Sequence, residues 1–197
     1  MNSPQPLFRV AQVRDIDARA IREGGIAGYE LMSRAAAAAL ALLRQRWPMA
    51  RRIGVACGPG NNGGDGYVLA RLARGEGLDV RLLALSAAGN GSAELMTAIA
   101  QWHESGGNSV AFESDLPEVD VWVDALFGTG IKRAAEGIGR ELIERINASQ
   151  KPVMALDIPS GLDADSGHAP GACMRASATI CFIAGKRGLY TGYARDV

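Results

Sequence analysis

After Pro48 the chain alternates short, uninterrupted apolar runs with stretches of helical pattern, and this alternation restricts the fold more than any other feature of the sequence. The runs are Ile53 to Cys57, Val80 to Leu85, Val119 to Leu126, Val153 to Ile158 and Thr179 to Ile183. They are rich in Val, Ile and Leu and do not alternate with polar residues, which suits strands covered on both faces. Between them the spacing predicts helices over Tyr67 to Arg74, Ala93 to Glu104 and Gly139 to Ala148. Strand, helix, strand repeated in this way requires crossovers, and crossovers build a mostly parallel sheet with helices on both sides. The fold class is therefore α/β, a three-layer α/β/α sandwich. Before Pro48 two helices are expected. The first has an apolar stripe of Val10, Val13, Ile16, Ala20 and Ile21 interrupted by Asp17, and the second runs from Tyr29 to Trp47.

Composition narrows the partners. Of the 197 residues 48% are hydrophobic, and 21 basic side chains balance 21 acidic ones, so the chain should fold and has no global field to attract nucleic acid or an anionic membrane. The N-terminus lacks a signal-type apolar core, and the longest apolar run, Ala35 to Leu43, is too short to span a bilayer. The three cysteines have no metal or disulfide spacing and read as reduced thiols, which points to the cytoplasm. A small-molecule ligand is the expected partner. The flat alanine face of the second helix, Ala35 to Ala41, suggests self-association, with packing on its own sheet as the alternative.

Ligands in open α/β sheets bind at the carboxyl ends of the strands, so three loops carry the chemistry. The first, CGPGNNGGDGY over residues 57 to 67, holds five glycines, two asparagines and an aspartate directly after a strand. Glycines let backbone approach a ligand, and the next helix N-terminus presents free N–H groups to phosphate. It is neither a P-loop, since Asp65 and Gly66 replace the required Lys and Ser/Thr, nor a full dinucleotide fingerprint, since the second strand ends at Ser86 without an acid. The second loop, DALFGTGIKRA, places Asp124 at a strand end and follows it with the glycine turn Gly128, Thr129, Gly130 and the cations Lys132 and Arg133. In the third, DIPSGLDADSG, Pro159 and Gly161 fix Asp157 and Ser160 in one relation, while Asp163 and Asp165 read as turn and solvent residues. His103 and His168 are isolated, which leaves no triad or zinc pattern.

Together GPGNNGGDGYVLARLA, VDALFGTGIKR, ALDIPSGLDADSG and AGKRGLYTGYARD, with YELMSRAA upstream, resemble the YjeF-type N-terminal domain, the NAD(P)H-hydrate epimerase family. The resemblance implies a Rossmann-like fold, usually homodimeric, that interconverts the R and S epimers of NADHX and NADPHX, nicotinamides hydrated at ring carbon six. It implies that Asn61, Asn62, Gly63, Gly64 and Asp65 line the substrate and that Gly128, Thr129, Gly130, Ile131, Lys132, Arg133 and Ala134 wrap its phosphates. Asp157 would lie near the reacting ring, and Asn62, Asp124 and Ser160 would hold a potassium ion (K+). Amide, carboxylate and hydroxyl oxygens are hard ligands, which suits such a cation. Many family members add a dehydratase domain, whereas residues 1–197 read as one epimerase-type domain, so a separate NAD(P)H-hydrate dehydratase would act as partner. The family pattern continues past ARDV into another strand, which suggests a truncated C-terminus.

Epimerising a carbinolamine carbon needs proton transfer alone, because the hydroxyl can leave and return or the ring can open and close. Asp157 is the expected acid–base group and Lys132 the second candidate, with potassium holding the glycine loops in register. One rival reading is a non-catalytic nucleotide-sensing or protein-binding module. A second, an NAD-dependent dehydrogenase, is disfavoured by Ser86 and by the lack of a catalytic His or Tyr–Lys arrangement.

Overall fold

The structure, a computed structural model, describes residues 6–85, 91–113, 115–130 and 133–195. Helices α1 (Val10–Arg22) and α2 (Gly28–Arg46) precede an alternating series: β1 (Arg52–Cys57), α3 (Asn61–Gly75), β2 (Asp79–Ala84), α4 (Ala93–Glu104) and β3 (Ser109–Ala111). The series continues with β4 (Val121–Ala125), α5 (Gly137–Ala148), β5 (Val153–Leu156) and β6 (Ala178–Ile180), and ends in two short 3₁₀ turns, Arg187–Tyr190 and Gly192–Arg195. The six strands form one sheet in the order β3-β2-β1-β4-β5-β6, and every pairing is parallel. That is the doubly wound Rossmann order, so the expected fold class holds.

Both faces of the sheet are covered, which explains why its strands read as continuous apolar runs. On one face Ile53, Val55 and Cys57 of β1, Val121 and Val123 of β4 and Met154 and Leu156 of β5 pack under α2, α3 and α4. On the other, Ala56, Leu83, Trp122 and Val153 meet Leu142, Ile143 and Ile146 of α5. Trp122 has room because its neighbour on β1 is Gly54, where an added Cβ would sit 2.4 Å from the indole ring.

The second helix uses its alanines inward. Ala36, Ala39, Leu40 and Leu43 are buried in the core shared with α3 and α4, while Ala37, Ala38 and Ala41 remain exposed. The stripe on α1 behaves differently. Val10 is buried against Ile158, Leu162, Ala164 and Cys173, beyond the carboxyl edge of the sheet, and Val13 is buried one turn on. Its start is fixed from two sides. Asp165 Oδ1 accepts the Val10 N–H at 2.8 Å, and Phe8 pairs through its backbone with Gly185 and Arg187. Asp165 is thus a helix anchor and not a solvent residue, whereas Asp163 is the turn residue expected, accepting from the Asp165 and Ser166 N–H groups.

Candidate functional site

The strand order reverses direction of growth between β1 and β4, and the crevice at their carboxyl ends is where such sheets bind ligands. The first glycine-rich segment enters this crevice, but not as the long loop the sequence suggested. Helix α3 begins at Asn61, six residues before the expected Tyr67, so Gly63, Gly64 and Gly66 are helical. Intrinsic propensity argues against helix there, and close packing overrides it. A Cβ on Gly63 would fall 1.9 Å from the Gly58 carbonyl oxygen, one on Gly64 2.6 Å from Met32 Cε of α2, and one on Gly66 2.5 Å from Ala125 Cβ of β4. Gly58 is tighter still, with a hypothetical Cβ 1.7 Å from the Leu126 carbonyl oxygen. These glycines let the N-terminus of α3 press onto the ends of β1 and β4. Asn61 is exposed there and accepts a hydrogen bond from Ser92 Oγ at 2.5 Å, which ties α3 to the start of α4.

Next to this junction lies a buried oxygen-rich group. Asp124 is fully buried and accepts from Ser160 Oγ at 2.6 Å, from the Ser160 N–H at 2.8 Å and from the Leu126 N–H at 3.2 Å. Its carboxyl is pushed up to about 6 by burial, against the lowering effect of those donors. Ser160 in turn accepts the Phe127 N–H at 2.9 Å, and the following Gly128 packs against Asn62. Asn62 is 8% exposed, yet neither its Oδ1 nor its Nδ2 has a hydrogen-bond partner. A buried amide costs free energy when left unpaired, so Asn62 is built to meet something absent from the chain itself. One buried negative charge, a hydroxyl and an orphaned amide oxygen make a donor set that fits a singly charged hard cation.

Asp157 and Ser160, expected to converge, turn to different neighbours. Asp157 carries φ +66°, and the Ile158 N–H donates to the Leu156 carbonyl at 2.8 Å, closing a three-residue turn of the rare, strained hand. Its Oδ1 forms an ion pair with Lys186 Nζ and accepts the Phe182 N–H at 3.2 Å. Lys186 is fully buried and also donates to the Phe182 carbonyl at 2.8 Å. That carbonyl closes a second tight turn, accepting from the Ala184 N–H at 2.7 Å around Ile183 at φ +65°. A positive φ on a β-branched residue is costly, so both chain segments are bent against preference to bring carboxylate and ammonium together.

Two further carboxylates feel the charge of Asp157. Burial pushes the Asp65 carboxyl of α3 well above its ordinary range, the charges of Asp157 and Asp17 push the same way, and Lys186 opposes them. Asp17 of α1 is raised by burial first, then by Glu94 and Asp157. Lys186 and Asp17 are the members that motif reading did not assign. Lys186 had a faint signal, as one of only three lysines. Asp17 had a clearer one, a carboxylate inside an apolar helical stripe.

The remaining expected residues divide. Gly128 is half-buried against Asn62, Thr129 is half-buried, Gly130 and Arg133 are exposed, and Ala134 packs near Gly171. Ile131, Lys132 and Ser86 lie outside the described residues, so the readings placed on them have no structural counterpart.

Comparison with known proteins agrees with this geometry. The family model described as YjeF-related protein N-terminus matches residues 28–188. The chain is 44% identical over 195 residues to the bifunctional NAD(P)H-hydrate repair enzyme Nnr of Escherichia coli, covering 98% of this chain but 38% of that protein. The chain thus spans well under half the length of that relative. It is 37% identical to the NAD(P)H-hydrate epimerase of Limosilactobacillus fermentum, over 92% of this chain and 87% of that one. The crystal structure of yeast ynu0, YNL200c, superposes with a TM-score of 0.82 at 18% identity over 96% of this chain and 85% of that chain, a likeness of fold. With its glycine-shaped β1–α3 junction, its all-parallel sheet and relatives matched over nearly its full length, the chain belongs to the YjeF-related N-terminal family.

Proposed function

We propose that this protein interconverts the R and S epimers of NADH and NADPH hydrated at ring carbon six. The observation that carries the reading is the Asp157–Lys186 pair, held between two strained turns beside Asp65 at the carboxyl edge of the sheet. A module that only bound nucleotide would have no use for a strained, buried ion pair next to a raised carboxyl group. Burial favours the protonated form of Asp65, which suits it to give a proton, and Asp157, ion-paired with Lys186, is the group that would receive one.

In the forward step a carboxyl proton passes to the ring hydroxyl, the C6–O bond breaks, and the ring-nitrogen lone pair forms the N1–C6 double bond as water leaves. Water then adds to the opposite face and gives its proton to a carboxylate. No electron is gained or lost, so the chemistry runs on proton transfer alone. Ring opening would instead take the hydroxyl proton to a carboxylate and bring a proton to N1 as the N1–C6 bond breaks to leave an aldehyde, and closure would reverse both transfers. Backbone N–H groups at the start of α3 and the Gly128–Gly130 turn supply the phosphate contacts in this reading, with Asn61 to Asp65 along the substrate and Arg133 and Ala134 at its phosphate end.

Asn62, Asp124 and Ser160 would hold potassium, which would neutralise Asp124 and lock the β4 and β5 loops against α3. Replacing potassium by tetramethylammonium at constant ionic strength should then lower the melting temperature by about 5 °C. Asp124→Asn should lose that response. An unchanged melting temperature in the native chain would remove the cation from the account.

Reduced thiols at Cys57, Cys173 and Cys181 support a reducing, cytoplasmic setting, and no helix among the described residues is long and apolar enough to cross a membrane. The relatives named as bifunctional NAD(P)H-hydrate repair enzymes, of which the chain covers well under half, support a second repair activity as partner, which we assign to a dehydratase. We place a homodimer contact on the exposed Ala37, Ala38 and Ala41 face of α2, small enough for another helix to approach closely. Light scattering should report a dimer for the native chain and a monomer for Ala38→Arg. A monomeric native chain would refute the contact.

A further inference from the structure

Helix α1 carries two charged residues, exposed Arg14 and half-buried Asp17, on the face that begins with its buried valines. Positions 10, 13, 14 and 17 share one face at helical spacing, and the first two are buried valines, of which Val10 docks α1 beyond the strand ends. The next two are Arg14 and Asp17. Neither side chain makes a hydrogen bond or ion pair with any other described residue, which leaves both available to a ligand. Both point to the site already described. An Arg14 guanidinium nitrogen is 3.8 Å from where a Cβ of Gly130 would stand, against the second glycine turn. Asp17 follows Arg14 by one turn on the face that the buried Val10 and Val13 begin, which turns it toward the same strand ends, and its charge acts on Asp65 and feels that of Asp157. The family match begins at residue 28, after α1 has ended, so nothing in it assigns these residues.

We propose that α1 forms a wall of the substrate site, Arg14 contacting the pyrophosphate of a nicotinamide dinucleotide at the Gly128–Gly130 turn and Asp17 facing the ring above Asp65 and Asp157. The proposal rests on the epimerase reading for the ligand. A guanidinium suits the role because its planar donors match phosphate oxygens, and the exposed glycine turn leaves space for the anion beside it. One helix would thus supply a cation to the charged end of the ligand and a carboxylate to its ring end.

Calorimetric titration with ADP-ribose, which has the pyrophosphate but no nicotinamide, separates the two roles. Arg14→Gln should weaken ADP-ribose by about tenfold. Arg14→Lys, which keeps the charge but loses the planar donor pair, should fall between the native chain and Arg14→Gln, and Arg22→Gln, an equal charge loss on the same helix away from the stripe, should change nothing. Asp17→Asn should leave ADP-ribose affinity unchanged and lower kcat/KM for R-NADHX by about tenfold. Unchanged affinity in Arg14→Gln, weakening by Arg22→Gln to the same degree, or failure of the native chain to bind ADP-ribose would each overturn the proposal. So would a loss of ADP-ribose affinity in Asp17→Asn. A native chain that binds ADP-ribose through Arg14 yet does not epimerise R-NADHX would overturn the epimerase reading and leave the pyrophosphate contact standing.

Discussion

Asp157→Asn should lower the epimerisation rate by about 10²–10⁴-fold, the usual contribution of a positioned proton-transfer group, while ADP-ribose still binds. Asparagine is the informative replacement for two reasons. It tolerates the left-handed backbone at this position, and its side-chain oxygen can still accept from Lys186 and from the Phe182 N–H. Alanine would instead strip a fully buried ammonium of its partner, and removing one member of such a pair typically costs about 3–5 kcal/mol. A dead alanine variant could therefore be an unfolded one. Stopped-flow or chromatographic rates for Asp157→Asn, read beside its melting curve, separate chemistry from folding. Parallel loss of ADP-ribose affinity would make Asp157 a binding residue, and a native rate would remove it from the mechanism.

Gly58→Ala should be among the most damaging single substitutions in the chain, costing about 4–5 kcal/mol or more. The added methyl would fall 1.7 Å from a backbone oxygen of the adjoining β4 loop, and neither segment can yield, because Gly58 also donates its N–H to the Ala125 carbonyl at 3.0 Å. Gly60, two residues on, provides the contrast. Its φ is −106° and no atom lies within 4 Å of its hypothetical Cβ, so Gly60→Ala should be close to neutral in urea denaturation. Equal effects at the two positions would mean that the glycines serve turn flexibility and not the close approach of one backbone segment to another.

That contrast shows where the sequence was legible. The parallel sheet could be read because burial on both faces leaves no polar alternation, and helix Ala93 to Glu104 was placed to the residue because Ser92 caps a strongly periodic segment. Strand β3 was missed. It has three residues, two of them exposed on a sheet edge, too few to leave an apolar run. The early start of α3 was hidden because a glycine-rich helix forms only when neighbouring backbone rewards the missing side chains, which is a tertiary fact.

In the site, strand-end aspartates and orphan-prone amides could be picked out from position alone. The Asp157–Lys186 pair could not, since its members are 29 residues apart with β6 between them and no spacing rule joins them. Asp17 was visible as a charge in the wrong stripe, but only the docking of α1 gives that charge a neighbour.

The most direct measurement is to mix the folded chain, in potassium buffer, with purified R-NADHX and follow the S epimer by chromatography. The account predicts that the mixture reaches its R/S equilibrium much faster than the spontaneous reaction, with Asp157→Asn returned close to the spontaneous rate. A folded native chain that binds ADP-ribose and leaves the spontaneous rate unchanged would contradict it.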